Sequence, residues 1–104
     1  MKYTIENISF IVGGRILQSH HETVIEHLLI DSRKGYSPPS SLFFALRGPL
    51  RNGHQFIAEL YKKGVKNFII SERLKDDDFA DANFILVNDT LEALQRLTAF
   101  QQYI

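Results

Sequence analysis

Leu42-Phe43-Phe44-Ala45-Leu46-Arg47-Gly48-Pro49-Leu50-Arg51-Asn52-Gly53-His54-Gln55-Phe56-Ile57 is the stretch on which the fold turns. Its first five residues form an unbroken apolar run, as expected of a strand covered on both faces. Gly48 to Gly53 reads as a loop, and Asn52 with Gln55 three residues later resembles the capping box of a helix start. Phe56, Ile57, Leu60 and Tyr61 make one stripe of that helix, Lys62 and Lys63 suit the negative end of its dipole, and Gly64 stops it. Val65 to Ser71, with apolar Phe68, Ile69 and Ile70, is the next strand. Strand, loop, helix and strand in this order form the repeating unit of a sheet with helices packed on it.

Working outward, Ile5, Ile8, Phe10, Ile11 and Val12 recur with helical spacing and stop at Gly13-Gly14, which predicts a short first helix. Arg15 to Leu17 reads as a small strand and Val24 to Ile30 as a buried, mostly apolar one. Lys34 to Ser41, with Gly35, Pro38, Pro39 and three serines, has turn and extended-loop chemistry. On the other side, Glu72 to Asn83 is a charged loop and Phe84 to Val87 a strand. Asp89 with Glu92 starts a last helix carrying Leu91, Leu94, Leu97 and Phe100. The expectation is an α/β fold: a single small domain over residues 1–104, with a mixed or mainly parallel sheet flanked by helices. The last helix runs to Tyr103-Ile104 with no residue to stop it, so the chain is expected to be cut from a longer protein.

Twelve Lys plus Arg balance twelve Asp plus Glu over 104 residues, so no basic surplus supports nucleic-acid binding. With 44% hydrophobic residues the chain can bury a core. Zero cysteines remove disulfides, thiolate metal sites and thiol nucleophiles. No apolar run approaches the ~20 residues of a membrane span, and the first residues lack the pattern of a signal peptide, so a soluble, cytoplasmic protein is expected.

The segment from Gly48 to Gln55 has the strand, paired glycines and following helix of a phosphate-binding loop. A triphosphate loop needs Lys and then Ser or Thr where His54 and Gln55 stand, and Pro49 removes a backbone donor, so ATP is not expected here. Two readings remain: a helix N-terminus with free N–H groups beside Arg51 as a weak anion site, or glycines that only serve the turn. Asp31-Ser32-Arg33 lies where open α/β sheets bind ligands. Arg33 offers a two-pronged donor for phosphate or carboxylate; alternatively Asp31 and Arg33 pair locally while Ser32 caps a turn. His20, His21, His27 and His54 read as solvated loop histidines rather than a metal set. No serine sits in a nucleophile elbow, and Asp76-Asp77-Asp78 with Asp81 lacks the Gly turn and terminal Glu of a calcium loop, leaving a solvated acidic loop.

Several of these pieces, in order, resemble the N-terminal domain of muramyl-peptide ligases, MurF and MurE types. They are Leu29-Ile30-Asp31-Ser32-Arg33, Leu42 to Gly48, Asn52-Gly53-His54-Gln55-Phe56-Ile57, Gly64-Val65, and Val87-Asn88-Asp89-Thr90 with Ala93-Leu94. The resemblance covers about residues 25–100. It implies a domain that holds the uridine diphosphate end of UDP-N-acetylmuramoyl-peptide, while a central domain binds ATP and magnesium and a third binds the incoming amino acid or dipeptide. It further implies that Ile30 and Ser32 contact the uridine, that Pro49, Leu50 and Arg51 line the uracil and diphosphate, and that Arg33 and Asn52 support the loops. No catalytic residue, metal or cofactor is then expected in this domain. ATP and magnesium belong to the parent protein, whose central ATP-binding domain is the partner within the same chain. Two departures stand out: Asn52 where the family usually has Asp, and Pro39-Ser40-Ser41 where it has Pro-Gly-Asp or similar. The first would neutralise a local charge; neither removes the site.

Leu42 to Gly48 and Asp89-Thr90-Leu91-Glu92-Ala93-Leu94 look closer to MurF, the ligase that adds D-alanyl-D-alanine to the UDP-muramoyl-tripeptide in cell-wall synthesis. Lys2 to Glu6 and Glu59 to Val65 resemble versions fused to an alanine racemase. The alternatives are a MurE-type domain, a stand-alone interaction module of the same fold, and a small complete enzyme, the last lacking a nucleophile or metal set.

Overall fold

The computed structural model describes residues 2–19, 23–31, 39–74 and 79–102. Its elements are α1 (Ile5–Val12), β1 (Arg15–Gln18), β2 (His27–Leu29), β3 (Ser41–Phe44), a 3-10 turn (Gly53–Phe56) running into α2 (Ile57–Lys62), β4 (Asn67–Ile70), β5 (Asn83–Leu86) and α3 (Thr90–Gln102). They build one five-stranded sheet in the order β1-β5-β4-β3-β2. β2 to β5 are parallel, and β1 runs antiparallel to β5.

Three layers follow from the alternation of side chains along the central strands. Leu42 and Phe44 of β3, Ile69 of β4 and Ile85 of β5 point to one face, where Ile5, Ile8 and Val12 of α1 and Ala93 and Leu97 of α3 cover them. Phe43, Phe68, Ile70 and Phe84 point to the other, against Ile57 and Leu60 of α2. Register partners Phe43, Phe68 and Phe84 form an aromatic row, edge-on at 6.3 Å and then stacked at 5.3 Å. Each such fully buried side chain is worth about 1.5–3 kcal/mol. β3 and β4 are buried along their whole length, as the unbroken apolar runs predict.

The ends of the elements obey local chemistry. Thr4 Oγ1 accepts from the Asn7 amide at 3.1 Å and Asn7 Oδ1 from the Thr4 amide at 3.3 Å, a reciprocal cap for α1. Gly13 closes α1 in the left-handed region at φ 67°. Asp89 Oδ1 accepts from the Leu91 and Glu92 amides at 2.9 and 3.2 Å and starts α3.

Three sequence expectations are corrected. The buried strand Val24 to Ile30 is only His27–Leu29, an edge strand with His27 exposed, because Ile25 exchanges its backbone bonds with Tyr3 at 2.6 and 3.1 Å. The helix expected from Asn52 opens with a 3-10 turn, and its α-helical part has six residues. α3 buries Thr90, Ala93 and Leu97, while Leu91 is half exposed and Phe100 turns its ring edge-on to Tyr3.

Candidate functional site

After Phe44 the chain leaves the sheet and folds back on itself. Arg47 and Asn52 form an antiparallel bridge, and the Gly48 amide donates to the Arg51 carbonyl at 2.7 Å, closing a tight turn over Gly48–Arg51. The Gly53 amide donates to the Leu46 carbonyl at 2.7 Å. This approach leaves no room for a side chain: a Cβ on Gly53 would lie 2.8 Å from the Leu46 nitrogen and 2.9 Å from Ala45 Cα. Gly48 is under no such constraint, its nearest neighbour being the Arg51 carbonyl oxygen at 3.8 Å.

The turn walls one side of a cleft of about 300 Å³ at the carboxyl ends of β2 and β3. Ile30 and Asp31 stand on the other side; Phe43, Leu46 and Phe56 supply apolar floor, and Gly48, Arg51 and Gly53 the turn side. Parallel sheets commonly bind ligands at this end. Ile30 is 54% exposed although apolar. Arg51 is exposed and, among the described residues, its guanidinium makes no hydrogen bond or ion pair. Nearby, Arg47 is tied to Glu72 at 3.2 Å.

Of the residues expected at the site, the structure brings Ile30 and Arg51 together on this cleft. Pro49 and Leu50 form the exposed tip of the turn, Leu50 at 96% exposure. Asn52 is turned inward and supports the loop: its Oδ1 accepts from the His54 amide at 3.0 Å and meets His54 Nδ1 at 2.6 Å. Ser32 and Arg33 lie outside the described residues, as do His20, His21 and Asp76 to Asp78. The sequence reading left Phe43, Leu46 and Phe56 out of the site; each looks like ordinary core, and only their shared position at one strand end marks them.

His54 is the clearest correction. It is buried, not solvated, at 8% exposure. Its Nε2 accepts from the Ser71 amide at 3.0 Å, which fixes the proton on Nδ1, facing Asn52 Oδ1. Burial is the main cause holding its pKa below the ordinary value, with nearby Glu72 opposing and Arg47 assisting. The weak anion site of free N–H groups is also overturned. The Gly53, His54 and Gln55 amides donate to the Leu46 carbonyl, Asn52 Oδ1 and the Asn52 carbonyl, so the fold itself uses them. The same segment does not fit a triphosphate: the side chain in the lysine's place is this inward-facing imidazole. Among the described residues no group of three His, Cys, Asp or Glu side chains could hold a metal ion. Asp81 is no free member of an acidic loop either, since it accepts from Tyr61 and, at 2.9 Å, from Lys66. No helix among the described residues is long and apolar enough to cross a membrane.

No family model matches the chain. Among curated proteins it is 34% identical over 98 residues to the UDP-N-acetylmuramoyl-tripeptide–D-alanyl-D-alanine ligase of Bacillus subtilis, covering 93% of this chain and 21% of the relative. It is 37% identical over 95 residues to the UDP-N-acetylmuramoyl-L-alanyl-D-glutamate–2,6-diaminopimelate ligase of Cytophaga hutchinsonii, covering 90% of this chain and 18% of the relative. A crystal structure of MurF from Acinetobacter baumannii superimposes with a TM-score of 0.84 at 24% identity, over 99% of this chain and 21% of that one. The chain thus spans about a fifth of the length of the relatives it matches. Its five-stranded, mostly parallel sheet is the architecture the MurF structures share, and its sequence relatives are MurF and MurE ligases. The chain is therefore a relative of the muramyl-peptide ligases, MurF and MurE types alike, and it has the fold of the MurF structures.

Proposed function

We propose that this domain holds the uridine diphosphate end of UDP-N-acetylmuramoyl-tripeptide for a longer, cytoplasmic MurF-type ligase. That ligase would add D-alanyl-D-alanine with ATP and magnesium bound in its central domain. The observation that carries the reading is the cleft itself, which joins exposed Ile30 and an apolar floor to the unpartnered guanidinium of Arg51. An apolar wall suits the flat face of a pyrimidine. A guanidinium gives two parallel N–H donors to a diphosphate, and Gly48 allows a ligand to approach the backbone closely. Ser32 would complete the uridine side and Arg33 would support the loop, with Pro49 and Leu50 lining the uracil and diphosphate from the turn tip.

The chemistry of ligation is assigned to the rest of the protein: the residues of this domain bind and orient. A MurE-type parent is the second reading, favoured by the 37% identity to the Cytophaga ligase. Titrating the chain with UDP-N-acetylmuramoyl-tripeptide by calorimetry tests the domain's role. Saturable binding that Arg51→Ala weakens by about 1–3 kcal/mol is expected, and the absence of binding would refute it. Assaying the longer gene product with D-alanyl-D-alanine against meso-diaminopimelate separates the two parents.

A further inference from the structure

We infer that His54 is the positioning residue of this cleft: as a neutral imidazole protonated on Nδ1 it fastens the Gly48–Arg51 turn to the carboxyl end of β4, so the cleft holds a diphosphate ester only while His54 is uncharged. The inference rests on the proposed reading of the cleft and adds to it a residue and a condition.

The geometry is a chain of single contacts. Ser71, the first residue after β4, gives its amide to His54 Nε2 at 3.0 Å. His54 Nδ1 meets Asn52 Oδ1 at 2.6 Å, and the same oxygen takes the His54 amide at 3.0 Å. Asn52 bridges to Arg47 and so forms one leg of the turn that carries Arg51. Among the described residues, the other side-chain tie from the turn to the end of β4 is the exposed Arg47–Glu72 pair at 3.2 Å, a kind of contact that contributes about 0–1 kcal/mol. A second proton would put an N–H on Nε2 against the Ser71 N–H, donor against donor, in a buried place. The charged groups that face the ring are Glu72 from the end of β4, which favours the cation, and Arg47 from the end of β3, which opposes it; burial outweighs Glu72 and lowers the pKa. On protonation the Ser71 bond breaks, Asn52 is released from β4, and Arg51 loses its fixed position. A guanidinium that must reach two phosphates at once is sensitive to displacements of about 1 Å.

The test uses the 104-residue chain, with UDP-N-acetylglucosamine as probe because its diphosphate diester carries no group that titrates near neutrality. Two substitutions separate shape from charge. His54→Gln places an amide oxygen near Nε2 to accept from Ser71 and cannot titrate; His54→Phe keeps bulk and removes both bonds. By 15N NMR without ligand, Nε2 should be the unprotonated nitrogen. The Gly48, Gly53 and Ser71 amides should titrate together with His54, and should be flat with pH in His54→Gln. By calorimetry, wild-type affinity should fall at least about fivefold across the pH range in which the NMR titration shows His54 taking up its proton. His54→Gln should stay within about threefold of the wild-type value and lose the pH dependence, and His54→Phe should bind about tenfold more weakly throughout that range. Turn amides that ignore His54, or a His54→Phe chain that binds as wild type, would overturn the inference. Amides that follow His54 in a chain that binds no nucleotide sugar at any pH would uphold the positioning and refute the ligand reading instead.

Discussion

The two ends of the sheet spend their polar groups differently. At the amino ends of β4 and β5 the buried polar groups are paired. Asn67 and Asn83, fully buried register partners on β4 and β5, share a bond at 2.9 Å, and Asn67 also donates to the Pro39 and Ser41 carbonyls at 3.0 and 3.1 Å. Gln18 donates to the Phe79 and Ala82 carbonyls at 2.7 and 2.9 Å. Lys66 lies over the Tyr61 ring at 4.2 Å and both reach Asp81. At the carboxyl ends, the Arg51 guanidinium has no partner among the described residues, and Ile30 and Leu50 lie in solvent. Buried polar groups are almost always satisfied, so the closed end is what folding requires. Groups that the fold leaves unused gather at the open end, and it is there that a ligand can be recognised.

Substitutions at the two ends should therefore separate stability from binding. The largest loss of stability belongs to Asn67→Ala, which removes the acceptor of the Asn83 amide and the two bonds to the Pro39 and Ser41 carbonyls, and should cost about 2–4 kcal/mol in denaturant unfolding. Gly53→Ala comes next, at about 1–3 kcal/mol, because its Cβ would press on Ala45 and Leu46 backbone. Gly48→Ala, with nothing nearer than 3.8 Å, should stay within about 0.5 kcal/mol while still weakening binding. A loss of stability at Gly48 equal to that at Gly53 would break the distinction between the two ends of the turn.

Acidity sharpens the same contrast. The folded pKa of His54 lies below its unfolded value of about 6.5, so the unfolded chain takes up the proton first. Its contribution to stability is present above about pH 6.5 and declines as pH falls through the unfolded toward the folded pKa; His54→Gln should flatten this slope in thermal unfolding followed across pH. The smallest effect is expected from Asp81. Hydrogen bonds from Tyr61 first and then Lys66 hold its carboxyl at about 2. Its contribution is therefore present above the ordinary carboxylate value of about 3.9 and lost as pH drops toward 2. Asp81→Asn should lower stability slightly at neutral pH and have no further effect at the acid limit.

How far the sequence could reveal this depended on the range of the forces involved. The unbroken apolar runs of β3 and β4 mark strands buried on both faces, and Thr4, Gly13, Asp89 and the Gly48–Gly53 loop fall where local rules place them. Interactions set by register were invisible. Asn67 and Asn83 look like polar strand ends until the parallel pairing sets them side by side, and His54 looks solvated until Ser71, 17 residues away, meets its ring. Val24 to Ile30 shows the same effect, since its apolar run gives no sign that Tyr3 takes the backbone bonds of Ile25. Ile30 and Arg51, named from the family resemblance, come together on one cleft, whereas the inward turn of Asn52 follows from a bond to its own neighbour.

The most direct test of the central claim is a 15N NMR titration of the 104-residue chain with UDP-N-acetylmuramoyl-tripeptide. Saturable shifts at Ile30, Gly48, Arg51 and Gly53, with Asn67 and Asn83 unmoved and the Arg51→Ala chain largely silent, are the predicted result. No shifts at the cleft at millimolar ligand, or shifts confined to the amino ends of the strands, would contradict it.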